Sequence, residues 1–331
     1  MKKRMTYYCV SVLAITLVCA ITAGTAFAQK KMELVIAIHT DPGHFCYTIG
    51  ERLKKDLDKK SQGRIAVRLL GMEVGGERDH LEGASRGEYQ IALGGSVPLS
   101  VYAPKFGAPD LPFVFPDTAS TKKLYQGQLG QLMNESIIKN GNMRLIGLSP
   151  RNPRNLTANK AIKSPDDLKG VKIRVPEIMP WVKVWRELGG LASPVAWPEV
   201  YSALQTGVIE AQENPVENIL TGRIYEVQKY IMLTKHVYSF FHWLMNEKFY
   251  QSLSESDRKM ILGSVDAETK WGENFVFSGE KEMLDKLQKL GMQVITPDVK
   301  AFRKKAVLAL KELAKNYHPE VEKYVLSFLK D

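Results

Sequence analysis

Residues 32–39, MELVIAIH, form a nearly unbroken apolar run, the composition of a strand buried on both faces of a sheet. After a loop with Pro42 and Gly43, apolar residues recur every four positions at Phe45, Ile49, Leu53 and Leu57. That spacing predicts an amphipathic helix. The SQG triplet ends it, and RIAVRLL returns as an alternating strand. GGERDHLEGASRGEYQIALGG then reads as a turn, a short helix and another strand ending at a glycine pair. A second strand–helix series starts near Met143. Within it, Val171, Ile173 and Val175 alternate with Lys172 and Arg174 between Gly170 and Pro176, the period of a half-buried strand.

Further along, WPEVYSALQTG carries Pro198 at a helix start and Gly207 just past its end, the usual asymmetry of the two residues. VIEAQENP follows as a strand running into a polar turn. From Ser254 to Leu290 the pattern is helical, with Ser254 and Asp257 spaced as a capping box. Val299, Phe302, Ala306, Leu310, Leu313 and Tyr317 mark one more helix. The alternation predicts an α/β fold with parallel sheets and crossover helices. There is no repeat, low-complexity segment or flexible linker, so two lobes require the chain to cross between them more than once. Ligands of open α/β sheets sit beyond the carboxyl ends of the strands. His39, the Gly94–Gly95–Ser96 turn, Arg174 and Asn214 are expected there.

Composition changes this picture at the amino terminus. Lys2, Lys3 and Arg4 precede an apolar run from Val10 to Ile21, and AFAQ follows. This is the pattern of a cleaved export signal spanning residues 1–28. Its removal leaves 303 residues and takes away three basic residues and no acid, so the formal charge of +10 becomes +7. The basic residues are scattered, which favours an anionic small molecule and argues against nucleic acid. Of three cysteines only Cys46 lies beyond the signal, so no intramolecular disulfide is expected. The mature chain is expected to be soluble in the periplasm.

No motif of a common catalytic class occurs in the context it requires. Ser-x-x-Lys occurs several times, among them at Ser120/Lys123, Ser136/Lys139 and Ser278/Lys281, without its usual companions. GASRG at residues 83–87 matches Gly-x-Ser-x-Gly by letters only, since it falls in the short helix read before a strand and not on a strand-to-helix turn; no Walker or dinucleotide fingerprint is present. His39, Asp41 and His44 match no zinc spacing, and Asp166/Asp167 beside Ser164 and Pro165 read as a helix cap. A binding role is therefore expected, with no enzyme activity, cofactor or metal.

SPDDLKGVKIRVPE, PEVYSALQTGVIEAQENP and GAPDLPFVF together resemble the solute-binding protein of a tripartite ATP-independent periplasmic (TRAP) transporter, of the DctP type. The likeness runs over essentially the whole mature chain. It implies a two-lobed periplasmic binding fold of the Venus-flytrap kind, with parallel or mixed sheets, a long inter-lobe helix and several chain crossovers. One lobe would hold residues 29–151 and about 240–278, the other 152–239 and about 279–331. It also implies a monomer that closes over an organic acid and docks on the small and large membrane subunits of an ion-driven permease. By the same resemblance Arg174 is the carboxylate clamp, a role suited to the planar guanidinium fork. Arg154 is the second arginine, with Arg151 as the competing assignment. Asn214, Trp197, Glu77, His39 and Asn155 complete the expected ligand contacts.

A site rich in hydrogen-bonding groups penalises ligands that leave them unpaired. That favours a sugar acid, a hexuronate or an aldonate, over an alkyl or aromatic acid. The competing substrate is a C4-dicarboxylate. An exported lyase or hydrolase, and an adaptor for a sensor kinase, are the readings from other classes.

Overall fold

The computed structural model describes residues 31–40 and 42–330; the export signal read at residues 1–28 lies outside the described residues. Two sheets organise the chain. The first contains β1 (Met32–Ile38), β2 (Ile65–Leu70), β3 (Ile91–Gly94), β4 (Met143–Pro150) and β10 (Phe240–Asn246), in the order β2–β1–β3–β10–β4. The second contains β5 (Arg154–Ala158), β6 (Lys172–Val175), β7 (Leu191–Pro194), β8 (Ala211–Pro215), β9 (Tyr230–Met232) and β11 (Gln293–Ile295), in the order β11–β9–β5–β8–β6–β7.

The sheets are mixed, as the resemblance allows, whereas the strand–helix alternation by itself predicts parallel ones. β1 and β3 are parallel, as are β6 and β8, but β10 is antiparallel to both β3 and β4. Likewise β5 is antiparallel to both β8 and β9. The reason lies in the crossings. β4 ends at Pro150 and the chain passes directly into β5; β9 ends at Met232 and the chain returns as β10. Each crossing strand enters its new sheet from the carboxyl edge, so it must run against the strands already there. The two crossing segments also pair with each other: Arg151 N donates to Ser239 O, Arg154 N to Val237 O and His236 N to Arg154 O.

A third crossing is the 35-residue helix Glu255–Lys289. Ser254 caps it, its Oγ accepting from Asp257 N at 3.1 Å, and Lys286 and Lys289 occupy its last turn, where cations complement the helix dipole. This helix packs on β4, on the Phe45–Ser61 helix and on the Val216–Thr221 helix. Gly272 permits the closest approach, since a Cβ there would stand 2.6 Å from Phe45 Cζ. Phe45 in turn stacks on Trp271 and Phe275. The periodic apolar residues Ile49, Leu53 and Leu57 are fully buried, as are Leu34, Ile36 and Ile38 of β1. Phe113 stacks on Phe302 and meets Trp185 edge to face.

Candidate functional site

The carboxyl ends of five strands converge on one cavity, lined by His39, Glu77, Ser96, Arg151, Arg154, Arg174, Pro176, Trp197, Asn214 and Asn218. β1 delivers His39, β4 leads to Arg151, β6 carries Arg174, and β8 carries Asn214. Glu77 opens the Glu77–Arg86 helix. Three arginines meet at this place and are nearly inaccessible to solvent, at 4% for Arg151, 2% for Arg154 and 3% for Arg174.

Their hydrogen bonds set them apart. Arg154 is occupied: Nε lies 2.5 Å and Nη2 2.9 Å from the two carboxylate oxygens of Glu213, and Nη2 also donates to the Glu213 carbonyl. His236 Nε2 donates to the same carboxylate at 2.9 Å while its Nδ1 accepts from Thr234. Burial pushes the Glu213 carboxyl up, but Arg154 and His236 outweigh it and hold the group below its usual range. The Arg154–Glu213 pair is thus a neutral, fully paired unit in the cavity wall.

Arg174 and Arg151 are different. Arg174 Nε donates to Val195 O at 2.8 Å, which fixes the plane of its guanidinium. Its two terminal nitrogens have no hydrogen-bond partner among the described residues. Burial lowers both Arg174 and Arg151 to about 10, which leaves them cationic at neutral pH. Arg151 lies over the Phe241 ring with Cζ 4.2 Å from its centroid, and its Nε is buried without a partner. Gly95 makes room for it: a Cβ there would stand 2.7 Å from Arg151 Nη1. Neither cation forms an ion pair with a carboxylate among the described residues.

The opposite wall offers acceptors. His39 Nδ1 donates to Leu93 O at 3.0 Å, so its Nε2 carries the lone pair. Burial holds this ring near a pKa of about 4, and it is neutral. Nε2 stands 3.6 Å from Glu77 Oε2, while Glu77 Oε1 accepts from Val97 N at 3.1 Å. Asn214 donates to Gln212 Oε1 at 2.7 Å, and Asn218 Oδ1 is buried without a partner. Trp197 lies beside the clamp, its ring centroid 6.0 Å from Arg174 Cζ.

Of the expected contacts, Arg174, Arg154, Asn214, Trp197, Glu77 and His39 line this cavity. Asn155 does not: its amide donates to Pro153 O and accepts from Lys235 N, holding the crossing segments together. Asn218 and Pro176 also line the cavity and were not among the expected ligand contacts. Asn218 follows Asn214 across the junction of β8 and the Val216–Thr221 helix, so no single periodicity in the sequence pairs them. A larger cavity of about 320 Å³ lies behind Ser96, walled by Leu111, Ile178, Trp181 and Tyr317. It contains none of the arginines and is mostly apolar, so it does not match an anionic ligand.

Enclosed cations facing hydrogen-bond acceptors, between two sheets joined by paired crossings, define a solute-binding protein. The family model for the bacterial extracellular solute-binding protein, family 7 (DctP), matches residues 36–317, and the chain belongs to that family. It is a TRAP-type binding protein with the two-lobed fold, and not an enzyme. The solute-binding protein RD1_1052 of Roseobacter denitrificans is 31% identical over 93% of this chain and 95% of its own. The crystal structure of that TRAP periplasmic solute-binding protein with bound L-galactonate matches with a TM-score of 0.85, 28% identity, and coverage of 92% and 100%. A TRAP periplasmic solute-binding protein from Polaromonas sp. JS666, bound to D-erythronate, matches with a TM-score of 0.82, 26% identity, and coverage of 90% and 98%. The sialic acid-binding periplasmic protein SiaP of Vibrio cholerae is 26% identical over 95% of this chain and 97% of its own.

Proposed function

We propose that this protein captures a hydroxylated monocarboxylic acid, a hexuronate or aldonate, in the periplasm and delivers it to the two membrane subunits of a TRAP permease. The observation that carries the reading is the buried Arg174 guanidinium, oriented through Nε with both terminal nitrogens uncommitted. A carboxylate completes that fork with two parallel hydrogen bonds.

The charge of the cavity supports a monoanion. Arg154 and Glu213 neutralise each other, so Arg151, Arg174 and Glu77 leave the walls with one net positive charge. A dicarboxylate would bring its second charge towards Glu77. A hydroxylated acid instead donates to Glu77, His39 Nε2 and Asn218 Oδ1, which are acceptors. The L-galactonate held by the Roseobacter denitrificans protein and the D-erythronate held by the Polaromonas protein are both acids of this kind. The ligand would bridge the lobes, one formed by residues 29–151 and about 240–278 and the other by 152–239 and about 279–331, and shift the population towards closure.

A thermal-shift screen of residues 29–331 tests this against aldonates, uronates, C4-dicarboxylates and the matching neutral sugars. A ligand at 100 times its Kd adds about 2.7 kcal/mol, which raises Tm by several degrees. Aldonates or uronates are expected to shift the protein and their neutral counterparts are not, with the effect abolished in Arg174→Ala. Shifts from C4-dicarboxylates alone would replace the substrate class.

A further inference from the structure

Glu217 is a buried carboxylate outside the ligand cavity. It sits just after β8, at the start of the Val216–Thr221 helix, and so belongs to the second sheet. Its Oε1 accepts from Phe45 N, the first N–H of the Phe45–Ser61 helix, which follows β1 of the first sheet. His44 caps that helix with Nδ1 accepting from Cys46 N. Its Nε2 therefore carries the proton and faces Glu217 Oε2 at 3.8 Å.

This contact joins the two sheets through elements that the chain separates by 172 residues. Trp181 Nε1 donates to Asp110 O at 2.6 Å in another buried tie, and two further ties lie nearer the surface. Arg78, on the Glu77–Arg86 helix, meets Glu177 at 3.8 Å with both side chains a third or more exposed; an exposed pair of that kind contributes little. At Gly76 even an added Cβ would only reach ordinary van der Waals distance of Ala196 and Pro198, at 3.6 and 3.7 Å. At Glu217, by contrast, losing the acceptor would leave a buried backbone donor unpaired, and an unpaired buried donor carries its full desolvation penalty. The neighbouring Asn218 lines the ligand cavity, so the latch and the site share one short segment.

We propose that Glu217 is a positioning residue for ligand binding, a latch that holds the closed arrangement by gripping the start of the Phe45–Ser61 helix without touching the ligand. The proposal rests on the reading of this chain as a protein that closes over an acid. A residue that stabilises only the closed state slows ligand release and leaves capture by the open state alone.

The test combines L-galactonate binding kinetics with spin-label distances between Lys54→Cys and Lys169→Cys, both exposed positions. In Glu217→Ala, Kd is expected to rise about tenfold or more, entirely through faster dissociation, and the liganded distance distribution to broaden towards longer values. Glu217→Gln keeps an acceptor oxygen and is expected to retain most of the wild-type affinity, which guards against loss through misfolding. If Glu217→Ala binds within about twofold of wild type while Arg174→Ala does not bind, the latch is overturned and the binding reading stands. If no acid of the panel binds the wild-type protein, that reading fails, and the distances in the unliganded protein decide the latch. Short distances lost in Glu217→Ala would support it; identical distributions would overturn it.

Discussion

Arg151 and Arg154 are three residues apart, equally buried, and chemically opposite. Arg154 is saturated by Glu213, so Arg154→Ala is expected to leave an uncompensated buried carboxylate. Breaking such a pair costs about 3–5 kcal/mol, and the variant should show a lower Tm before any ligand is added. Arg151 has no carboxylate partner among the described residues, so Arg151→Ala relieves a buried charge. We expect it to preserve or raise Tm while weakening acid binding, as measured by calorimetry. Arg174→Lys should also weaken binding, because a lysine retains the charge and loses the two-pronged fork. Truncating one partner of a buried charge pair costs roughly 2–5 kcal/mol, and lysine is expected to recover only part of that. The strand pattern around Arg174 was legible because alternation and the flanking Gly170 and Pro176 are local signals. The choice between Arg151 and Arg154 was not, since nothing local to either residue reveals that Glu213 lies on the neighbouring strand.

The long helix shows what an element adds. Its start was readable from Ser254 and Asp257, because capping involves residues three apart. Its role as a shared platform for the Phe45–Ser61 and Val216–Thr221 helices depends on Gly272, a residue whose helix propensity alone would be counted as a weakness. Gly272→Ala places a Cβ against the fully buried Phe45 ring. Overpacking of this kind costs about 1–3 kcal/mol, while alanine returns at most about 1 kcal/mol of helix propensity. A net loss of stability is therefore expected, visible as a lower Tm in calorimetry. β5 and β10 teach the same lesson for strands. Neither is read as a strand in the sequence, RNLTA of β5 having no apolar run, and their antiparallel direction follows from crossing between sheets at the carboxyl edge.

For the molecule as a whole, buried titratable groups set a pH dependence. Burial raises the Asp110 carboxyl to about 8 and the Glu217 carboxyl to about 7; the folded protein holds these protons more tightly than the unfolded chain. Their contribution is present at low pH and lost as pH rises through those values. Burial holds His39 and His242 near about 4, so their contribution is lost as pH falls below the ordinary histidine range of about 6.5. Between about 4.5 and 6.5 the two effects oppose each other. Above that only the carboxyls titrate, and Tm is expected to fall as pH is raised from about 6.5 to 8. Asp110→Asn should flatten that fall in a series of melts across the range.

The sequence by itself determined the α/β class, the positions of the principal strands and helices, and the place of Arg174 at a strand end beyond which ligands bind. Each of these rests on periodicity, capping or punctuation within a few residues, where the physics is local. Tertiary structure alone decided which arginine is neutralised, which wall supplies the acceptors, and which buried carboxylate joins the two sheets. Those outcomes depend on groups brought together across tens to hundreds of residues, where burial removes water and makes each remaining partner count.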